Sequence, residues 1–571
     1  MQLRLAPGTM IAIMRLTAKT LNLVTVVLIL AASPTRAANA LNDDASRVRQ
    51  NAASSRTPGA AIKPQRIDLR VEVRPNLRTI LIEADLTFMA NRTTEAVRVF
   101  LRPDMNVDVI EDANGIPLSY LQRQNRLWIS TPPLAAGEVT TWRFRYRATF
   151  DASLEESGQL RLTATWYPHF RTTPNPEEFQ RSVPMPMSLT TTLPDPWVLV
   201  SSGMNTVTEN NGLTTYSWRD SVPNQTIPYV IGRFVDDSKL GAIGLVRVFF
   251  EPQNKTLTKS YVEYIISVAT FFSEQIGALN RRSWNLVAVD LPEAMSGLTL
   301  PGVTLLDTDA VNRNTTFPYR LLAHEIAHQW WNAYIEIPRG RDAWLREGLP
   351  TYSSLMFLEN AYGSRMMRQE LNRSKRVALS TAYPEPLEIG FDMSSKEAIY
   401  GLNYHKAAVV LHMLREVMGR DNFTALIRAL HNLEEDLTTA VFVRHAEEIY
   451  AGALSWFFNA WLRSSDVPSF HIRYEYKRVE ARVPRYELSG VIEQRGATIR
   501  HPVRIQVSLE AAPPLETTVW IEPGSTVFNI SLPSPPTGLH FDPHENLLYQ
   551  NVTIESPGPF NAVRQEKRSP R

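Results

Sequence analysis

The sequence contains no cysteine among its 571 residues. That excludes disulfides, a thiolate nucleophile, an iron–sulfur cluster and any thiolate-bound zinc. Excess charge of either sign is also missing: 60 basic side chains face 58 acidic ones, a formal net charge of +2, so no basic face argues for a nucleic-acid partner. Long hydrophobic runs are absent too. The longest apolar stretch near the N-terminus, Leu21 to Ala32, has about twelve residues, well short of the ~20 that cross a bilayer. What remains is ordinary globular composition, 44% hydrophobic and 21% charged, in a chain long enough for two to four domains. Any metal must be held by His and carboxylates.

The apolar stretch follows Arg4, Arg15 and Lys19 and precedes Ala38-Asn39-Ala40, a small-x-small cleavage pattern. Residues 1–40 are therefore expected to be an export signal, with delivery to a periplasm or the exterior and no stable membrane span after cleavage. An uncleaved N-terminal anchor is the alternative. Residues 41–65 and 554–571 are polar and aperiodic and are expected to be a linker and a tail.

Between these ends the hydrophobic period changes twice. Leu69-Val71-Val73, Ile80-Ile82-Ala84-Leu86-Phe88 and Trp142-Phe144-Tyr146-Ala148 alternate with polar residues, which predicts an antiparallel all-β domain over 66–235. Helical spacing dominates 236–469, with helices predicted over Arg320–Tyr334 and Tyr404–Val417. Alternation returns over 470–553, about the size of a small β-sandwich. The fold class is multidomain α+β: an N-terminal antiparallel β domain, a mainly α-helical catalytic domain and a C-terminal β-sandwich.

The chemistry is concentrated in His324-Glu325-Ile326-Ala327-His328. Residues four apart share one helix face, so both imidazoles can reach one ion, while Glu325 is placed to take a proton from water at the metal. A catalytic zinc keeps three protein ligands and one open position, so a third ligand is required. Glu347, within Trp344-Leu345-Arg346-Glu347-Gly348, follows His328 after eighteen residues. That gap suits a turn through Pro338-Arg339-Gly340 and a returning helix. His324, His328 and Glu347 are thus the expected ligands of one Zn²⁺, with cobalt or manganese as chemically compatible substitutes.

This pattern, H-E-x-x-H, eighteen residues, then Glu within W-L-x-E-G, resembles the gluzincin family of membrane alanyl aminopeptidases and leukotriene hydrolase (peptidase family M1), whose catalytic domain is thermolysin-like. Thr351-Tyr352, as the start of a following helix, fits the same resemblance. Tyr404-His405-Lys406-Ala407 looks like the family's Tyr-Glu-Lys-Gly, whose tyrosine stabilises the oxyanion; Tyr400 is the rival. Trp456-Phe457-Phe458 with Trp461 looks like the end of the family's catalytic domain, and Phe541-Asp542-Pro543 like the close of its β-sandwich. The large C-terminal helical domain of many members is expected to be absent.

The resemblance implies a zinc metallopeptidase acting on a peptide or protein. One departure bears on which. The family's Gly-x-Met-Glu-Asn strand supplies a glutamate that binds the substrate's free α-amine. Here the segment reads Gly297-Leu298-Thr299-Leu300-Pro301-Gly302, and either Leu300 or Thr299 takes the glutamate's place, depending on the alignment. Glu293 is the nearest upstream carboxylate. The expectations are an aminopeptidase-like hydrolase without its amine anchor, a hydrolase of blocked or internal peptide or other amide bonds, or a non-catalytic zinc-stabilised scaffold. Trp330-Trp331 reads as core packing, and Arg339, Arg341 and Arg346 as a solvated or ion-paired turn rather than a carboxylate clamp. Trp166-Tyr167-Pro168-His169-Phe170 is a candidate wall of the cleft.

Overall fold

The computed structural model describes residues 62–555, apart from 164, 172–182, 221, 280, 293–294, 313–316, 339, 381–384 and 480–484. The export signal of 1–40, residues 41–61 of the linker, Glu293 and residues 556–571 of the tail lie outside the described residues. Among the described residues, no helix is long and apolar enough to cross a membrane.

The alternating segments near the N-terminus pair as their pattern requires. A seven-stranded sheet runs in the order Met204–Asn210, Leu213–Arg219, Met187–Pro194, Ile62–Val73, Thr79–Ala90, Val139–Thr149, Met105–Glu111. One face carries Leu69, Val71, Ile82, Leu86, Phe144 and their neighbours into a buried core. The other carries ion pairs such as Arg143–Asp85 and Arg145–Glu83. Two features differ from the sequence expectation. Ile62–Val73 and Met187–Pro194 run parallel, so the sheet is mixed. And the polar stretch from Ile62 is strand rather than linker, because Ile62 and its neighbours pair with Ala90 and Met89 across a bulge at Pro64/Arg66. Similarly, Ile554 and Glu555, read as tail, close the strand Val552–Glu555.

The middle region is less helical than expected. It opens with a five-stranded sheet, ordered Val235–Gly241, Gly244–Phe250, Ser283–Val289, Val303–Asp307, Gly297–Leu300. Its three inner strands run parallel and both edges antiparallel. Ser283–Val289 is buried along its whole length, which is why its second half, Leu286–Val289, reads as a continuous apolar run. Helices α1 (Lys255–Gln275) and α2 (Tyr319–Ala327) pack against this sheet; α3 (Ala343–Tyr362) packs on both of them, and α4 (Ser364–Leu379) and, after a π-helical turn at Tyr400–Lys406, α5 (Ala407–Met418) pack on α3.

The C-terminal region stacks a four-stranded sheet (Ser525–Leu532, Arg485–Arg495, Ser469–Val479, Val552–Glu555) and a three-stranded one (Leu515–Ile521, His501–Leu509, Pro536–Phe541). Its buried side chains continue without a break into those of the helices, from Met413 and Leu414 to Val503, Phe541 and Leu548. The N-terminal sheet keeps a core of its own. A small apolar cluster including Val200, Phe234, Val287 and Leu305 joins it to the middle sheet.

Candidate metal centre

Helix α2 ends sooner than its apolar pattern suggests. The unbroken run of regular bonds ends with His328 N–H to His324 C=O at 3.3 Å, after which Gln329 and Trp330 bond three residues back. The chain then turns through Asn332, whose φ is +84°. The break lets Trp330 and Trp331, both fully buried, turn inward and donate to the Gly277 carbonyl and the Ser353 hydroxyl. The return helix α3 starts at Ala343, so Thr351-Tyr352 lie inside it rather than at a helix start.

These two helices bring three ligand atoms together. Nε2 of His324 and Nε2 of His328 are 3.1 Å apart, and Oε2 of Glu347 lies 3.7 Å and 3.3 Å from them. A tetrahedral ion with bonds of about 2.05 Å needs ligand edges of about 3.3 Å. Oε2 of Glu347 is buried and has no hydrogen-bond partner, a costly state for a carboxylate oxygen unless a cation meets it. Among the described residues, this is the one cluster of His and carboxylates that can hold a metal.

The surroundings orient the ligands. The Thr351 hydroxyl donates to the Glu347 carbonyl at 2.7 Å and lies 3.1 Å from His324 Nδ1. With its hydrogen committed, it can only accept from that ring, so Nδ1 carries the proton and Nε2 keeps its lone pair for a metal. Pro350 sits within α3 and lacks the N–H that would close on the Arg346 carbonyl. The Asn332 amide takes that place, donating to Arg346 C=O at 3.0 Å while lying 2.8 Å from His328 Nδ1. A helix defect thereby ties the turn after His328 to the helix that carries Glu347. Asn332 was not singled out from the sequence, and Thr351 was read only as part of a helix start. Their positions four after a ligand, His328 and Glu347, are the signal that could have found them.

Glu325 is buried beside the ligands, and burial pushes its carboxyl up to about 7. It faces the edge strand Gly297–Leu300. Thr299 Oγ1 donates to Glu325 Oε2 at 3.0 Å or to its carbonyl at 2.9 Å. A Cβ on Gly297 would stand 2.5 Å from Glu325 Cδ, so the strand can approach this closely only as glycine. Gln329 fixes the strand's turn to α2, accepting from Gly302 N–H at 2.9 Å and donating to Leu300 C=O at 3.0 Å. Of the two alternatives for the altered position, Thr299 faces the cleft; Leu300 is not among its lining residues.

Both candidate tyrosines line the cleft. The Tyr404 ring stacks on His324 at 5.7 Å between centroids. Burial, then the charges of Glu347 and Glu325, push its phenol well up. Tyr400 is about half exposed and packs on His405 at 4.8 Å. The π-helical turn that presents Tyr404 replaces the plain helix expected there; such turns recur at functional sites. The cavity, about 590 Å³, is also lined by Arg320, Arg346 and Arg373. Arg346 thus belongs to the cleft rather than to a solvated turn; Arg339 lies outside the described residues. The aromatic stretch Trp166–Phe170 does not reach the cleft. Its Trp166, Tyr167, His169 and Phe170 side chains are buried in the N-terminal core, where Trp166 donates to Ile227 C=O.

Comparison with known proteins agrees with this geometry. Residues 296–461 match the model of the peptidase family M1 domain. Endoplasmic reticulum aminopeptidase 2 of Bos taurus is 23% identical over 212 residues, 34% of this chain and 22% of that protein. The matched stretch thus spans about a fifth of that relative's length. Two solved structures share the fold. Aminopeptidase A of Legionella pneumophila in complex with aspartic acid has a TM-score of 0.66 at 15% identity, covering 86% of this chain and 59% of that one. An M1 zinc metallopeptidase mutant of Deinococcus radiodurans bound to a Tyr-Ser-Ala substrate has a TM-score of 0.55 at 20% identity, covering 71% and 94%. Residues 296–461 thus resemble the peptidase family M1 domain, and the His324–His328–Glu347 group within them fits one zinc ion.

Proposed function

We propose that this protein is a zinc-dependent hydrolase of peptide or closely related amide bonds. The observation that carries it is the His324–His328–Glu347 triangle with a buried carboxylate, Glu325, beside it and, among the described residues, no fourth protein ligand. When bound, Zn²⁺ supplies Lewis acidity toward a carbonyl oxygen and lowers the pKa of water in the open position.

The chain's own residues do the rest. Glu325 accepts the proton of the attacking water and delivers it to the leaving nitrogen. The Thr299 hydroxyl, donating to Oε2, holds the carboxylate in place. Tyr404, kept protonated by its surroundings, donates a hydrogen bond to the oxyanion as it develops. The edge strand Gly297–Leu300 has one free side, on which an extended peptide can pair.

The same reading holds that free N-terminal amines are not selected. Among the described residues lining the cleft, the carboxylates are Glu325 and Glu347, and both are assigned to the metal chemistry. The substrate is then a blocked or internal bond. A scaffold role would leave Glu325 without a task and would close the metal with a fourth ligand. The Glu325→Gln variant tests the reading: turnover of a peptide library should fall about 10²–10⁴-fold while bound zinc, measured by elemental analysis, stays at one per chain. Turnover equal to that of the unaltered protein would refute the mechanism.

A further inference from the structure

Positive charge predominates on the wall of the cleft once the metal chemistry has claimed its two carboxylates. Arg320 and Arg373 stand out, because neither is tied to the metal ligands. Arg320 lies one turn before His324 on α2, on the same helix face. Its Nη1 meets Glu370 Oε2 at 3.3 Å. Glu370 and Arg373 are three residues apart on α4, and Arg320 and Arg373 both line the cleft. Arg373 is exposed and, among the described residues, forms no ion pair. Its helix is held in position by its neighbour Ser374, whose hydroxyl lies 3.1 Å from Nδ1 of His405, the ring on which Tyr400 packs. Arg346, by contrast, is anchored on the Ile337 carbonyl at 3.0 Å.

We propose that Arg320 and Arg373 form an anion-recognition site, and that the substrate carries a carboxylate near the scissile bond. The inference rests on the hydrolase reading above. A guanidinium fork matches a carboxylate in shape as well as charge, and a cationic amine brought to the same place would meet like charges, with Glu370 already paired with Arg320. The carboxylate can come from an acidic side chain or from the α-carboxyl of a short peptide.

The test uses the full chain loaded with zinc and carrying Glu325→Gln, so that peptides bind without turnover. The probes are N-acetylated peptides in matched pairs, Glu against Gln on either side of the scissile bond, and free against amidated C-termini. Titration calorimetry should show at least one acid member binding about tenfold or more tightly than its amide. Arg373→Glu should abolish that ratio, and Arg373→Lys should retain part of it. The pair that shows the effect identifies the source of the carboxylate. Acid and amide members binding equally in both pairs, or a ratio unmoved by Arg373→Glu, would overturn the site. Turnover of the same peptides by the protein with Glu325 intact separates the two claims. A binding preference without turnover sinks the hydrolase reading and leaves the anion site standing; turnover with no acid preference does the reverse.

Discussion

The two walls of the cleft are built under different constraints. On the helical wall both histidines have a second contact that sets their orientation, Thr351 for His324 and Asn332 for His328. On the strand wall, Gly297 and Thr299 are shaped around a single side chain, Glu325. One wall serves the metal. The other serves the base and carries no acid of its own. On the reading proposed above, the difference teaches that metal chemistry and substrate choice are separable within one site: the strand would lack a recognition group while keeping the groups that support the base.

Gly297→Ala should have the largest effect on the strand wall. Its new Cβ would press on Glu325, and a displacement of about 1 Å at a catalytic group costs roughly 10²-fold in kcat; zinc content should not change. Steady-state kinetics paired with metal analysis checks both halves. On the helical wall, Asn332→Ala should weaken zinc affinity about 10–100-fold, read by competition with a chelator, with kcat at saturating zinc much less affected. If Asn332→Ala altered kcat but not zinc affinity, the division between the walls would fail.

Thr299→Val should act more gently, and through pH. Burial holds the Glu325 carboxyl up to about 7 before any metal is considered; a bound dication lowers it, whereas losing a hydrogen bond to the charged form raises it. Because the base works only when deprotonated, activity falls as pH drops through its pKa. The acid limb of kcat/KM should therefore move upward by about one pH unit in Thr299→Val, with the alkaline plateau nearly unchanged. A limb that did not move would mean Thr299 does not support the base.

How far the sequence could be read follows from how local each signal is. The metal group lies in two short helices separated by one turn, so spacing alone was enough to nominate His324, His328 and Glu347. Burial would not have been enough. His169, His412 and His501 are also buried, with burial holding their rings down to about 4, 3 and 3, and they resemble ligands in composition alone. The alternating strands were legible because one face of the N-terminal sheet is wet and the other dry. Two strands of the five-stranded sheet were legible as the short apolar runs Val246–Phe250 and Leu286–Val289; the sheet they build was not, because strands buried on both faces show no alternation. The contacts that shape the site escaped for a different reason. Nothing local pairs Gly297 with Glu325, or Pro350 with Asn332, until the chain has folded. Arg320 and Arg373 likewise come from separate helices and acquire meaning only as neighbours.

The most direct test of the separation between the two walls is cleavage of matched peptides, with free and N-acetylated N-termini, by the zinc-loaded protein, with product masses read by mass spectrometry. Cleavage of the acetylated peptide equal to or better than that of the free one is the expected result. Stepwise removal of N-terminal residues from the free peptide alone would contradict it, and would mean that this cleft still recognises an amine.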